Sequence, residues 1–196
     1  MGFFSKKSSP KPSKGSGSGS GNPNKRGGAS EESRVTLPLE ADGLYVIVSE
    51  QQTTDVLHWA LYLHQGGKTG WIFHVTNQSM TGDFFYDHRR SDTVVHSVSI
   101  RAALKVAVVR TDMMHRALRD RLASIDLGTW NNQEFGPLDC RSWVLRALHD
   151  LDMEGYITIV LKRTVLDIER EALKLAEDGF EAGGVGLVKD SDYSKP

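Results

Sequence analysis

The chain has 196 residues, and 39% of them are hydrophobic, so a single domain with a proper core and some residues left over is expected. Lys and Arg total 24 against 25 Asp and Glu, a formal net charge of −1, and this balance argues against a nucleic-acid partner. One cysteine excludes an internal disulfide, and the N-terminus lacks an apolar signal sequence. No apolar run approaches the roughly 18 residues of a transmembrane helix. We therefore expect a cytoplasmic protein without a transmembrane segment.

The N-terminal segment, residues 1–33, is rich in Ser, Gly, Lys, Pro and Asn and has little apolar content. Such a composition cannot offset the entropy of ordering, so a disordered tail is predicted. Phe3 and Phe4, followed by Lys6 and Lys7, would allow this basic arm a weak peripheral contact with a membrane surface.

Two neighbouring segments predict a β-hairpin. Residues 57–64 (LHWALYLH) alternate, with Trp59 and the leucines on one face and His58 on the other. A Gly-Gly turn then leads into residues 69–76 (TGWIFHVT), which contain His74. An antiparallel return makes the two histidines cross-strand neighbours, but whether they share a face depends on a register that the sequence leaves open.

The other predicted elements surround this hairpin. Further strands are predicted over residues 44–49, 83–87, 93–100 and 104–110. A helix capped by Thr111 or Asp112 follows, and its inward stripe is expected to comprise Met114, Leu118, Leu122 and Ile125. Residues 126–139 form a long polar loop, residues 156–161 are ambiguous between strand and helix, and residues 165–177 are helical. The folded domain is thus expected to span residues 34–180, with a flexible C-terminal tail over 181–196.

The single cysteine lies at the predicted start of a helix, within residues 134–148 (EFGPLDCRSWVLRAL). Asp139 is a capping residue, and the apolar positions from Trp143 onward follow helical spacing. Backbone N–H groups at a helix start favour thiolate formation at Cys140 and can stabilise an oxyanion, whereas the Asp139 carboxylate opposes ionisation. A free cysteine on an apolar helix face most often only packs, so a matching base is needed for chemistry.

The hairpin motif His58-Trp-Ala-Leu-Tyr, followed by Ile-Phe-His74, resembles the strand pair of the lecithin retinol acyltransferase-like family. That family belongs to the circularly permuted NlpC/P60 branch of the papain-like fold, in which the histidine strands precede the cysteine helix, as here. The resemblance implies an α+β fold with an antiparallel sheet packed against the cysteine-bearing helix. It also implies Cys140 as nucleophile, His58 as general base and His74 as the residue that orients His58. The Asp139-Cys140-Arg141 motif differs from the family's Asn-Cys-Glu-His-Phe. The Cys-x-x-Trp-Val-x-x-Ala-Leu run that starts at Cys140, with Gly155-Tyr156-Ile157 at its end, is similar to uncharacterised fungal proteins.

These observations predict a Cys–His thiol enzyme that acts on an ester, thioester or amide bond through an acyl-enzyme, as a hydrolase or acyltransferase. Its substrate would be of acyl, lipid or peptide type, and no cofactor is expected. The alternative is a non-catalytic papain-like interaction module in which cysteine and histidine only pack. A metal site is not expected, because the spacing of the candidate ligands fits no known zinc motif: His58, His64, His74 and His96.

Overall fold

The computed structural model describes residues 36–51, 54–77 and 83–195, so the predicted N-terminal tail lies outside the described residues. The strands are β1 (Gly43–Gln51), β2 (Thr54–Gly66), β3 (Thr69–Thr76), β4 (Phe85–Ser91), β5 (Ile100–Val108), β6 (Thr158–Ile159), β7 (Leu187–Asp190) and β8 (Ser194–Lys195). The helices are α1 (Asp112–Ala123), α2 (Asn132–Phe135), α3 (Cys140–Met153) and α4 (Val165–Glu181). None of the helices in these ranges is long and apolar enough to span a membrane.

Six strands form one sheet in the order β4-β3-β2-β1-β5-β7, and β6 pairs separately with β8. All neighbours in the large sheet are antiparallel except β5 and β7, which are parallel. The fold is therefore mixed α+β with a mostly antiparallel sheet, which confirms the predicted fold class at that level.

The two faces of the sheet are covered differently, and strand alternation decides which side chains each face receives. The face with Trp59, Leu61 and Phe73 forms the larger core together with α3 and α4, and we call it the helix face. The opposite face carries a smaller core that includes Ala60 and Tyr62. Since His58 and His74 alternate with residues of the helix face, they belong to the opposite face.

The predicted hairpin is present. β3 has the bounds expected from the sequence, and its turn places Gly66 and Gly67 at φ values of 103° and 60°. Glycine adopts this left-handed region without the steric cost that a Cβ imposes. Residues close together in the sequence are therefore sufficient to predict both strands and their turn.

The predicted strand over residues 93–100 is wrong in its first part. Val94–His96 form a short 3-10 turn instead, and β5 begins only at Ile100. The turn buries the side chains of Val94 and Val95, and its Val95 carbonyl accepts a hydrogen bond from the Leu37 N–H at 2.8 Å. A β-branched run therefore supplies core residues here without joining the sheet.

Helix α1 begins as predicted, since the Thr111 side chain caps it by accepting a hydrogen bond from the Met114 N–H. Its buried stripe differs, however. Met114 is 37% exposed, whereas His115 is buried and hydrogen-bonded to the Val109 carbonyl. Leu118 is buried as expected.

The C-terminal residues differ from the predicted flexible tail over 181–196. Helix α4 extends to Glu181, β7 pairs with β5, and β8 pairs with β6. The buried Lys105 ammonium lies 2.7 Å from Glu40 and 2.9 Å from Asp190, so one cation joins this end of the chain to the sheet. These contacts with residues far along the chain are not visible in the local composition of the segment.

Candidate active site

A cleft forms where β2 and β3 separate. Their register extends from Gly66↔Thr69 to Leu61↔Phe73, although β2 continues along β1 and β3 continues along β4 to Thr76. Among the described residues, the space between residues 57–60 and 74–77 therefore has no strand pairing. A cleft of about 790 Å³ opens at this end of the sheet, and both Cys140 and His58 line it.

Cys140 reaches the cleft from the helix face, as the first residue of α3. Asp139 and Ser142 form a capping box, in which the Asp139 carboxylate accepts from the Ser142 N–H at 2.6 Å and the Ser142 hydroxyl accepts from the Asp139 N–H at 2.9 Å. The thiol Sγ lies 4.0 Å from the carbonyl oxygen of Leu57 in β2. The helix start predicted from the sequence thus places the thiol beside the unpaired edge of β2.

Ionisation of the thiol is dominated by burial. Burial raises the pKa of Cys140, the backbone N–H of Trp59 partly offsets this, and the Asp139 carboxylate raises the pKa further. The net pKa lies above the ordinary thiol value, so the expected gain from the helix start is outweighed. The free protein therefore carries a protonated thiol at neutral pH.

This ionisation state gives a testable expectation for Cys140. Because iodoacetamide reacts with the thiolate, its pH profile should have a midpoint above the ordinary thiol value of about 8.5. The His58→Ala profile should be nearly the same, because His58 makes no ionic pair with the resting thiol. A wild-type midpoint below pH 7, or a shift of a full pH unit in the variant, would contradict it.

Two histidines and an aspartate form a hydrogen-bonded chain on the opposite face. His58 Nε2 lies 2.7 Å from His74 Nδ1, and His74 Nε2 lies 3.1 Å from Asp87 Oδ2. Asp87 is the direct cross-strand partner of His74, and Arg89 pairs with its carboxylate. The predicted proximity of His58 and His74 is therefore confirmed, whereas no pattern in the sequence indicated that Asp87 lies beside them.

Both imidazoles are neutral at pH 7. Burial lowers the pKa of His58, the neighbouring His74 and Arg89 contribute in smaller measure, and together they bring this pKa to about 4. Burial also lowers the pKa of His74, and the hydrogen bond to Asp87 offsets only part of the effect. A neutral imidazole has a bare nitrogen, so His58 is in the state that a general base requires.

The structure brings Cys140 and His58 to one cleft without a hydrogen bond between them, as judged from these two described side chains. Cys140 approaches from the helix face and His58 belongs to the opposite face. The cleft that both residues line lies where β2 and β3 are no longer paired. The nucleophile and base implied by the family resemblance thus line the same cleft.

One further charged pair borders the cleft. Arg141 lines it and is ion-paired with Glu169 of α4. Glu169 is a charged residue, but it is only 7% exposed. The ion pair therefore ties the start of α3 to α4.

The other two histidines considered as candidate zinc ligands, His64 and His96, lie away from the cleft. His64 is buried near Tyr62, with ring centroids 5.9 Å apart, and His96 lies 3.2 Å from the Thr36 hydroxyl. Within the described ranges, no three His, Cys, Asp or Glu side chains are grouped so that they could hold a metal ion.

Fold and site together define an α+β domain whose cleft holds one cysteine beside a histidine–histidine–aspartate chain. Residues 44–158, which are 115 of the 196, match a family of unknown function (DUF6540), and the chain belongs to that family. The matched range includes Cys140, His58, His74 and Asp87. No curated protein and no solved structure matches the chain.

Proposed function

We propose that the protein is a Cys–His thiol enzyme of circularly permuted papain-like fold, which acts on an ester, thioester or amide bond through an acyl-enzyme. The observation that carries the proposal is the cleft shared by Cys140 and His58. His74 then orients His58 through the 2.7 Å contact between their rings. The order of the elements, with the histidine hairpin before the cysteine helix, supports the same assignment.

The ionisation states favour general-base activation over a preformed ion pair. The thiol of Cys140 is protonated and His58 is neutral. In the first step, Sγ forms a bond to the substrate carbonyl carbon while His58 accepts the thiol proton. The tetrahedral intermediate then expels the alcohol, thiol or amine, which takes that proton from His58, and a thioester remains on Cys140. In the second half of the cycle, water or another acceptor gives a proton to His58 and attacks the carbonyl carbon of the thioester. The Cys140 sulfur is then expelled and takes that proton back from His58.

The surroundings of the thiol can stabilise the negative charge that develops on the carbonyl oxygen. The backbone N–H groups of Trp59, Cys140 and Arg141 all approach the sulfur closely enough to lower its pKa. N–H groups that already lie where negative charge develops stabilise an oxyanion without reorganisation, and the carbonyl carbon of the substrate is bonded to this sulfur in the intermediate. They therefore offer an oxyanion hole for the reaction.

The lining of the cleft favours an acyl, lipid or peptide-type substrate. Apolar side chains form much of its wall: Val56, Leu57, Val75, Phe84 and Leu173. We assign the protein to the cytoplasm, where a free thiol such as Cys140 stays reduced. Weak peripheral membrane contact of the N-terminal arm belongs to the same proposal, and that arm lies outside the described residues.

A non-catalytic papain-like interaction module is the second candidate. The raised pKa of Cys140, and the absence of a hydrogen bond between its thiol and the described His58 ring, favour this alternative. In such a module the two side chains would only pack at the end of the sheet.

Intact-protein mass spectrometry after incubation with activated acyl esters distinguishes the two functions. An enzyme should gain one acyl group on Cys140 and lose it again as turnover proceeds. Cys140→Ser keeps a small polar residue at the first position of α3 and serves as the matched control. Labelling of wild type only at other nucleophiles would favour the module.

A further inference from the structure

We propose that Asp87 is a positioning residue that fixes the tautomers of both histidines and leaves Nδ1 of His58 as the basic nitrogen. The assignment follows from the 3.1 Å and 2.7 Å contacts of the chain Asp87–His74–His58. Its consequence for catalysis depends on the proposed function, whereas the tautomers themselves do not.

The direction of the hydrogen bonds starts at the carboxylate. Burial raises the pKa of Asp87, but the hydrogen bond from His74 and the charge of Arg89 outweigh it, so the net pKa is below the usual value. An ionised carboxylate only accepts hydrogen bonds. Nε2 of His74 must therefore carry a proton and donate it to Asp87 Oδ2.

The second hydrogen bond follows from the first. A neutral His74 with a proton on Nε2 has a bare Nδ1, which can only accept. Its partner at 2.7 Å, Nε2 of His58, must then be the donor. A neutral His58 consequently has its lone pair on Nδ1, and this is the nitrogen available to take a proton from a thiol.

A hydrogen bond from Arg89 to His74 would give both hydrogen bonds of this chain the opposite direction. Its guanidinium lies 3.4 Å from His74 Nε2, and a donation there would require a bare Nε2 and would reverse both hydrogen bonds. The contact is longer than the one to Asp87, and the same Arg89 nitrogen already pairs closely with the Asp87 carboxylate. A bare Nε2 would also place two acceptors 3.1 Å apart, so the direction from His74 to Asp87 is favoured.

Nitrogen NMR of the full chain labelled with ¹⁵N-histidine tests the tautomers without any substrate. At pH 7, two-bond and three-bond couplings should show a proton on Nε2 and none on Nδ1 in both His58 and His74, with signals assigned from His58→Gln and His74→Gln. A proton on Nδ1 of His74 would overturn the inference.

Substitution of Asp87 separates positioning from a merely structural role. In Asp87→Asn, a population of His74 with the proton on Nδ1 should appear, and Asp87→Glu should restore most of the wild-type signal. Exposed Asp83→Asn is the matched control and should leave the spectrum unchanged. Identical spectra for wild type and Asp87→Asn would refute the role of Asp87.

The acylation assay then links the tautomers to chemistry. Asp87→Asn should slow acylation of Cys140 by about 10²-fold, the lower end of what general-base catalysis provides. If the NMR signals behave as expected but wild type is not acylated, the proposed function fails while the tautomer assignment stands. If wild type is acylated and Asp87→Asn keeps its tautomers and its rate, the inference about Asp87 fails alone.

Discussion

Replacing either Cys140 or His58 with alanine should abolish turnover of activated acyl esters. Without Cys140 no sulfur is available for the acyl-enzyme, and without His58 the protonated thiol has no base to accept its proton. General-base catalysis alone contributes about 10²- to 10⁴-fold, so a loss of this size or greater is expected for His58→Ala. The rate of alcohol release measures turnover, and the mass of the intact protein shows whether the acyl-enzyme forms.

The pair should behave as one unit. Combining Cys140→Ala with His58→Ala should cost little more than either change alone, because members of one catalytic unit are strongly non-additive. His74→Ala should be milder, since His74 orients His58 and forms no bond to the substrate. Some acylation of Cys140 should therefore remain in that variant.

A control on the same sheet makes the comparison specific. His88 stacks on Trp71 with ring centroids 5.9 Å apart and is exposed, so His88→Ala removes an imidazole from the helix face without touching the chain from His58 to Asp87. Its activity should stay near wild type. Equal acylation of Cys140 in wild type and His58→Ala would disprove the Cys–His pairing.

The parts of the fold that the sequence predicts are those governed by neighbouring residues. Alternation and a Gly-Gly turn suffice for the hairpin of β2 and β3. A capping residue and helical spacing suffice for the start of α3 at Cys140. Both features depend on contacts between residues a few positions apart, and such contacts can be predicted from local sequence patterns.

The parts that escaped prediction depend on partners far along the chain. β7 exists because it pairs with β5, more than 80 residues earlier as judged from Ala102↔Leu187. The buried position of Glu169 depends on Arg141 in another helix. The residues next to a buried charged residue of a helix carry no pattern that distinguishes it from a charged residue facing solvent.

The candidate site shows the same division. Cys140, His58 and His74 belong to motifs and were named from them, but Asp87 enters through the β3–β4 register, which places it opposite His74. A shift by one residue would turn Asp87 to the other face. The pKa of Cys140 escaped prediction as well, because burial depends on the assembled cleft and outweighs the helix start.

The final expectation concerns the packing that holds α3 against the sheet. Trp143 is 0% exposed, lies one turn after Cys140, and contacts Tyr86 of β4 with ring centroids 5.5 Å apart. Truncating a fully buried tryptophan to alanine removes its transfer free energy and leaves a cavity, so Trp143→Ala should lower the free energy of unfolding by about 3–5 kcal/mol.

Urea denaturation followed by circular dichroism measures this loss, with Met153→Ala as the control on the same helix. Met153 is 73% exposed, and its substitution should change stability by less than about 0.5 kcal/mol. Trp143→Phe should lose less than Trp143→Ala, since phenylalanine keeps most of the buried ring and removes the indole Nε1, a buried donor without a hydrogen-bond partner in the described chain. A Trp143→Ala variant within 1 kcal/mol of wild type would show that α3 does not depend on this contact, and the position of Cys140 would then need another explanation.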